Sequence, residues 1–270
     1  MPSQLLTITG GAGRIGTALR PLLGERYRIR LVDVREPEPV AVQDDPERVG
    51  SGRQPDEFVR ADVTDLGEAE RSLAGSAAVL HLAGNPSPSA TWDEVRTANL
   101  EGTFNVFEAA RRADIRKVVF ASTNHVMGFY SLERNYPIDT RSPIRPDSLY
   151  AVSKAFGEAL ARYYSDAFGM SIICLRIGWF TPQVPSNESL NALWISTRDL
   201  AQIVLRALET PRLFGIYNAT SNNSQRHWDL QTSRDELGYQ PLDDVTEVLM
   251  PGQGSPYVDP KAGVLRGADH

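Results

Sequence analysis

"TGGAGRIG", Thr9 to Gly16, is the stretch on which the reading of this chain turns. It follows an apolar β-type run, Leu5 to Thr9, and leads into a helical period from Ile15 to Leu23. Gly10, Gly13 and Gly16 give the spacing G-x-x-G-x-x-G. Glycine allows a tight turn and close approach of the backbone to a pyrophosphate, whose charge is favoured at the N-terminus of the next helix. Asp33 closes a second strand, at about the offset where a carboxylate accepts hydrogen bonds from an adenosine ribose. Strand, glycines, helix, strand and carboxylate in that order indicate a dinucleotide site, with Gly10, Gly13, Arg14, Ile15 and Gly16 around the phosphates.

Asp33 also bears on which dinucleotide. A carboxylate accepts from ribose hydroxyls and repels a 2′-phosphate, so NAD is expected over NADP. Arg14 and Arg35 are the groups that could pair with such a phosphate. Asp62 and Val63 follow a third strand, where they could hold the adenine ring; Asp62 also reads as a turn or capping carboxylate.

Outward from this loop, strands and helices alternate. Tyr27 to Val32, Glu57 to Val59, Ala77 to Leu82, Arg116 to Ala121, Ser171 to Ile177 and Gly215 to Ala219 have strand character. Leu66 to Leu73, Trp92 to Arg112, Leu149 to Phe168 and Thr197 to Leu208 have helical periods. Such alternation predicts an α/β fold, a Rossmann-type doubly wound parallel sheet built from right-handed crossovers. Arg35 to Gln54 reads as a polar surface excursion, Ser131 to Asp147 as a long loop, and the stretch after Gln240 as a Pro-, Gly- and Asp-rich tail. No linker is evident. One domain over 1–270 is expected, with a core at about 4–177 and a small substrate lobe interleaved from 178–195 and 220–270.

Composition bounds the function. The chain has 270 residues and a formal net charge of −6 with no basic run, which argues against nucleic acid as the main partner. No apolar run approaches the roughly 20 residues of a membrane helix, and no signal peptide is evident at the N-terminus. A soluble, cytoplasmic protein is expected. Cys174, the one cysteine, sits in an apolar run and reads as a buried structural thiol. No metal site is expected.

Two further stretches carry chemistry. "ASTNHVMG", Ala121 to Gly128, ends a buried strand in a hydroxyl, a second hydroxyl, an amide and an imidazole. "YAVSK" sets Tyr150 and Lys154 on one face of a helix, with Asp147 or Ser148 as its N-cap. A phenol with a pKa of roughly 10 is a poor base, and bringing it to neutrality takes about 4 kcal/mol of differential stabilisation. A neighbouring ammonium and a positively charged nicotinamide can supply that.

With these motifs assembled, the chain resembles the extended short-chain dehydrogenase/reductases of the NAD-dependent epimerase/dehydratase superfamily, over about residues 4–240. The matching pieces are "TGGAGRIG", Asp33, Asp62, "HLAG" (His81 to Gly84), Asn99, "ASTN" and "YAVSK". Within that superfamily "ASTNHVMGFY", "RPDSLYAVSKAFGEALARYY", "LRIG" and "WISTRDLAQ" are similar to the uronate dehydrogenases and related NAD-dependent sugar dehydrogenases.

The resemblance implies oxidation of the anomeric hydroxyl of a monosaccharide, with a hexuronate favoured, to its lactone. It implies Tyr150 as the proton-transfer residue and Lys154 as the group that lowers its pKa and holds the nicotinamide ribose. Thr123 would hydrogen-bond the reacting oxygen, with Ser122 as second candidate. Leu82, Ala83, Gly84 and Ile177 would line the cofactor, and Asn99 would be structural. Thr123, Asn124, His125 and Tyr150 would form the substrate floor; Ser87, with Ser89, would reach the sugar or nicotinamide, and Arg176 would take the carboxylate.

Several of these residues have a plainer alternative. Asn124 and His125 can brace the following loop, Arg176 can pair with a structural acid, and His81 reads as a satisfied core histidine. Trp179 and Phe180 depart from the small residues usual after "RIG" in uronate dehydrogenases, which keeps a neutral sugar or a different sugar acid open; a neutral or phosphorylated aldose is the alternative substrate. A nucleotide-sugar epimerase or dehydratase is the other enzymatic reading, and a non-catalytic dinucleotide sensor the third. A homo-oligomer is expected; the helices at Trp92–Arg112 and Leu149–Phe168 could form its face, but the same apolar stripes also serve to cover a sheet.

Overall fold

The structure, a computed structural model, describes residues 4–38, 56–183 and 188–248. Most of the excursion expected at 35–54, and the tail beyond 248, lie outside the described residues.

Seven strands form one parallel sheet. In chain order the elements are β1 (Leu5–Thr9), α1 (Arg14–Leu23), β2 (Arg28–Asp33), β3 (Glu57–Arg60), α2 (Leu66–Leu73), β4 (Ala78–His81) and α3 (Trp92–Val95). A π-helical turn, Arg96–Glu101, joins α3 to α4 (Gly102–Arg112). Then follow β5 (Lys117–Thr123), a 3-10 turn (Asn124–Met127), α5 (Gly128–Leu132), α6 (Leu149–Phe168) and β6 (Ser171–Ile177). The last part holds β7 (Trp179–Phe180), β8 (Trp194–Ile195), α7 (Thr197–Glu209), β9 (Phe214–Ala219), α8 (Gln231–Leu237) and α9 (Val245–Val248).

The strand order is β3-β2-β1-β4-β5-β6-β9. It reverses direction between β1 and β4, the switch point where doubly wound sheets open a crevice at the strands' carboxyl ends. β6 is buried along its whole length and β5 at every residue after Lys117, as a sheet covered on both faces requires. One apolar cluster, with Leu19, Leu23, Leu200 and Ile203, packs α1 and α7 on one face. A second, with Val106, Phe107, Ala161 and Tyr164, packs α4 and α6 on the other.

Local chemistry sets the helix that matters most. Ser148 caps α6 by accepting from the Ala151 amide, and Gly169 ends it in the left-handed region at φ 66°. In its middle, a Cβ on Gly157 would lie 2.3 Å from the Phe120 ring. Glycine there lets α6 lie close against β5, which brings Thr123 and Tyr150 to one edge.

Polar contacts and a second small sheet hold the segments outside the main sheet. β7 and β8 pair in a two-stranded parallel sheet. Ile138 bridges Trp228, and its amide donates to the His227 carbonyl. Arg145 donates twice to Glu133 (2.6 and 2.7 Å) across the loop after α5. Buried Asp199 accepts from Ser221 Oγ and from the Leu242 and Asp243 amides, holding the last described segment to α7.

The candidate active site

A cavity of about 830 Å³ runs across the carboxyl edge of the sheet. One end is walled by the glycine loop, Asp33, Arg35, Asp62 and Val63; the other by Thr123, Asn124, His125, Tyr150, Lys154, Trp179 and Phe180. Leu82, Ala83, Gly84, Ile177 and Gly178 line its middle.

The glycine loop fits a dinucleotide for steric reasons. Gly10 has φ 69°, and a Cβ on it would lie 2.6 Å from the Ala83 amide nitrogen. On Gly16 it would lie 2.5 Å from the Gly11 carbonyl oxygen. Both glycines are thus required before any ligand binds, since they allow loop, helix and β4 to meet. The N-cap position of α1, Gly13, has no side-chain cap, which leaves the first-turn amides for an anion.

Asp33 is buried, and its carboxylate accepts from the Ala12 amide (3.1 Å) and the Arg35 amide (3.0 Å). Each carboxylate oxygen keeps acceptor capacity for a ribose hydroxyl. Asp62 accepts from both the amide and hydroxyl of Thr64, so its turn role is real, and it also lines the cavity. Asn105 holds this wall by donating to the Val63 and Thr64 carbonyls.

At the other end α6 delivers Tyr150 and Lys154, both buried. Burial pushes the Tyr150 phenol above its ordinary value, the Thr123 hydroxyl's hydrogen bond pulls it back in part, and the Asp147 charge raises it again. Burial lowers the Lys154 ammonium to about 8. Its Nζ lies 4.9 Å from the Phe120 ring centroid, a favourable cation–π contact in a desolvated place. Asn99, in the π-helical turn, accepts from the Asn85 amide and donates to the Asn85 carbonyl and Ser153 Oγ. It splices the loop after β4 to α6, the structural role expected of it.

The two hydroxyls at the end of β5 part company. Ser122 Oγ donates to Glu158 Oε1 at 2.7 Å, so its proton is committed inside the protein although the residue touches the cavity wall. Thr123 faces the cavity beside Tyr150, whose phenol pKa it lowers, while its Oγ1 accepts from the His125 amide at 3.3 Å and donates to Asn124 Oδ1 at 3.4 Å. Asn124 and His125 face the cavity as expected.

Two expectations are corrected. Arg176 is absent from the cavity wall. It is 2 % exposed, with Nε and Nη2 donating to the two Glu158 oxygens at 2.8 Å each. The charge expected to meet a substrate carboxylate is already neutralised by a neighbour. Ser87 is the second: its hydroxyl pairs with Ser89 Oγ (2.9 Å) and it does not line the cavity, whereas Pro86 and Pro88 on either side do.

Two residues of consequence carry little signal in the sequence. Glu158 stands four residues after Lys154, on the same helix face, and that spacing was its only signal. Asn85 lines the cavity beside Gly84. His81 is a satisfied core histidine, bonded to Thr9 and Thr103, and burial drives its pKa down to about 3. Cys174 is buried, which raises its thiol well above the ordinary range.

Comparison with known proteins agrees with this geometry. Residues 6–189 match the model of the NAD dependent epimerase/dehydratase family. A uronate dehydrogenase of Pseudomonas syringae pv. tomato is 36% identical, covering 98% of this chain and 92% of that protein. An NAD-dependent glucose-6-phosphate dehydrogenase of Haloferax volcanii is 35% identical, covering 93% and 97%. The crystal structure of a glucuronic acid dehydrogenase from Chromohalobacter salexigens superposes with a TM-score of 0.81 at 32% identity, covering 95% of this chain and 91% of that one. The family model spans well over half of the chain and the glycine loop, Tyr150 and Lys154 lie within it: the chain belongs to the NAD dependent epimerase/dehydratase family.

Proposed function

We propose that the protein oxidises the anomeric hydroxyl of a monosaccharide to its lactone with NAD as cofactor, a hexuronate being the first candidate substrate. The observation that carries this is the cavity's composition. A dinucleotide-sized channel ends at Tyr150, Thr123 and Lys154, and beside them Asn124 and His125 offer the fixed polar groups that a ring of hydroxyls needs. Relatives named for uronate and sugar-phosphate oxidation support the same reaction class.

Bound NAD supplies the acceptor for the hydride leaving the anomeric carbon. Tyr150 takes the hydroxyl proton, and Thr123 orients the reacting oxygen by hydrogen bonding. Lys154, held four residues on along α6, stabilises the phenolate and binds the nicotinamide ribose. The glycine loop and α1 hold the pyrophosphate, while Asp33 accepts from the adenosine ribose. Asp62, Val63, Leu82, Ala83, Gly84 and Ile177 shape the channel. The proposal includes a cytoplasmic location, which suits a lone, unpaired cysteine.

One observation favours a second reading. Among the described residues lining the substrate end, Lys154 is the single Lys or Arg, because Glu158 holds Arg176. A neutral aldose needs no more than that. Steady-state kcat/KM with NAD for glucuronate, galacturonate, glucose, galactose and glucose 6-phosphate, followed by NADH absorbance, separates the readings. Turnover of none of them would remove the proposal.

A homo-oligomer also belongs to the proposal. Leu149, Val152, Phe156 and Tyr163 leave apolar surface exposed along α6, with Trp92 and Phe104 exposed on the neighbouring helical run. Exposed apolar side chains along one helix face suit a contact between subunits. Light scattering of the purified protein tests it; a monomer at micromolar concentration would overturn it.

A further inference from the structure

The wall of the sugar end contains an ordered pair that neither the glycine motif nor the Tyr150–Lys154 motif accounts for. His125 Nδ1 lies 2.8 Å from Asp147 Oδ2. The imidazole sits edge-on to the Tyr150 ring, with centroids 6.0 Å apart, and it lines the cavity. Asp147 is mostly covered, its side chain 11% exposed against 29% for His125.

Several contacts fix the carboxylate. Its Oδ1 accepts from Ser148 Oγ at 3.0 Å, so the residue beside it both caps α6 and orients it. The Asp147 amide donates to the His125 carbonyl. Gly128 leaves the space: a Cβ there would lie 1.8 Å from Asp147 Oδ2. Gly128 has φ −60°, which any residue adopts, so glycine is needed at this position for room and not for backbone freedom.

A carboxylate only accepts hydrogen bonds, so the Nδ1 that faces it must carry a proton. In the neutral ring Nε2 is then an acceptor, and Nε2 has no partner among the described residues. We propose that Asp147 is a positioning residue that holds His125 in the Nδ1–H tautomer and presents Nε2 as an acceptor to a hydroxyl of the bound sugar next to the one that Tyr150 deprotonates. The sugar half rests on the function proposed above; the tautomer half does not. The two acceptor roles stay apart: Tyr150 removes a proton, while His125 only receives a hydrogen bond. The pair therefore acts on sugar affinity and orientation, and it selects sugars that carry a donor at that carbon over their deoxy analogues.

Long-range ¹H–¹⁵N correlation spectra of the free protein read the tautomer directly. The chain has four histidines, and His125→Gln assigns the signal. The wild type should show the Nδ1–H form at His125 at a pH where the ring is neutral. Asp147→Ala should lose that preference, and Gly128→Ala, which pushes the carboxylate away, should do the same. With the best sugar substrate, Asp147→Ala should raise the sugar KM about tenfold with a smaller change in kcat and none in the KM for NAD. In the His125→Gln background Asp147→Ala should add nothing, because its effect passes through the ring. An Nε2–H wild-type ring, or equal effects of Asp147→Ala with and without His125, would overturn the proposal. If no sugar is oxidised, the functional reading and the sugar half fall together, and the spectra still decide the positioning half.

Discussion

Arg176 and Glu158 form a two-pronged ion pair beneath the active-site edge of the sheet, Nε to Oε1 and Nη2 to Oε2, each 2.8 Å, with side chains 2% and 5% exposed. Ser122 donates to the same Glu158 oxygen as Nε does. The network joins β5, β6 and α6, the three elements that carry Thr123, Ile177 and Tyr150. Arg176 therefore works on the placement of these elements.

Removing one partner should leave a buried charge uncompensated. Glu158→Ala should cost about 3–5 kcal/mol of stability, read from the midpoint of urea unfolding. Arg176→Ala should cost a similar amount and change KM for glucuronate and for glucose by one common factor. A rise confined to glucuronate would show that the guanidinium reaches the substrate carboxylate after all.

Tyr150→Phe should lower kcat by roughly 10²–10⁴, the usual worth of a positioned acid–base group, while NAD binding by fluorescence quenching stays near the wild-type value. Near-normal turnover would remove the phenol from the mechanism.

Lys154 carries a stability cost that follows from burial. Its folded value of about 8 lies below the ordinary 10.5. The charged form is thus penalised below pH 8, and the penalty fades as pH rises from 8 towards 10.5. Lys154→Met should therefore stabilise the protein at pH 7 by up to about 3 kcal/mol and abolish most activity. The Tm advantage should shrink by pH 10. A destabilised Met variant would show that the ammonium's contact with Phe120 outweighs its desolvation.

His81 sets an acid limit on the fold. Its folded value of about 3 lies below the ordinary 6.5, so the unfolded chain binds the proton first as pH falls. Its contribution is intact above pH 6.5, declines below it and is gone near pH 3. Between pH 6.5 and 4.5 this group should remove about 2–3 kcal/mol. His81→Gln, which does not titrate, should flatten the pH dependence of the urea midpoint by that amount over that interval. An unchanged slope would assign acid sensitivity to other groups.

Asp33→Ala should reduce kcat/KM with NAD by about tenfold or more, since it removes a charge-assisted acceptor and the brace on the Ala12 amide. The value with NADP should fall less, or rise through Arg35. Faster wild-type turnover with NADP than with NAD would reverse the reading of Asp33.

Local pattern was enough for most of the fold. Leu66–Leu73 and Leu149–Phe168 stand where their periods place them, because capping residues and apolar spacing are sequence-local. Parallel order followed from alternation, and the cofactor end from the glycine loop and Asp33, whose positions along the first β-α-β unit are fixed by chain geometry. The sequence by itself also paired Tyr150 with Lys154, four residues apart on one helix.

Contacts between distant segments were decided only by the tertiary structure. Arg176 reads as a free cation at a strand end until α6 packs on β6 and sets Glu158 against it, 18 residues away in the chain. The resemblance sets Thr123 before Ser122 without saying where either side chain points, and the alternation of side chains along β5 sends Ser122 to Glu158 and leaves Thr123 facing the cavity beside Tyr150. Asp147 and Ser148 both read as the helix cap, and in the structure Ser148 takes that role and frees Asp147 for His125. In each case the side chain's chemistry is written in the sequence, while its partner is chosen by which elements the sheet brings together. Burying a charged or hydroxyl group in low dielectric is costly unless it is paired, and the nearest partner in space settles whether it is left for a ligand.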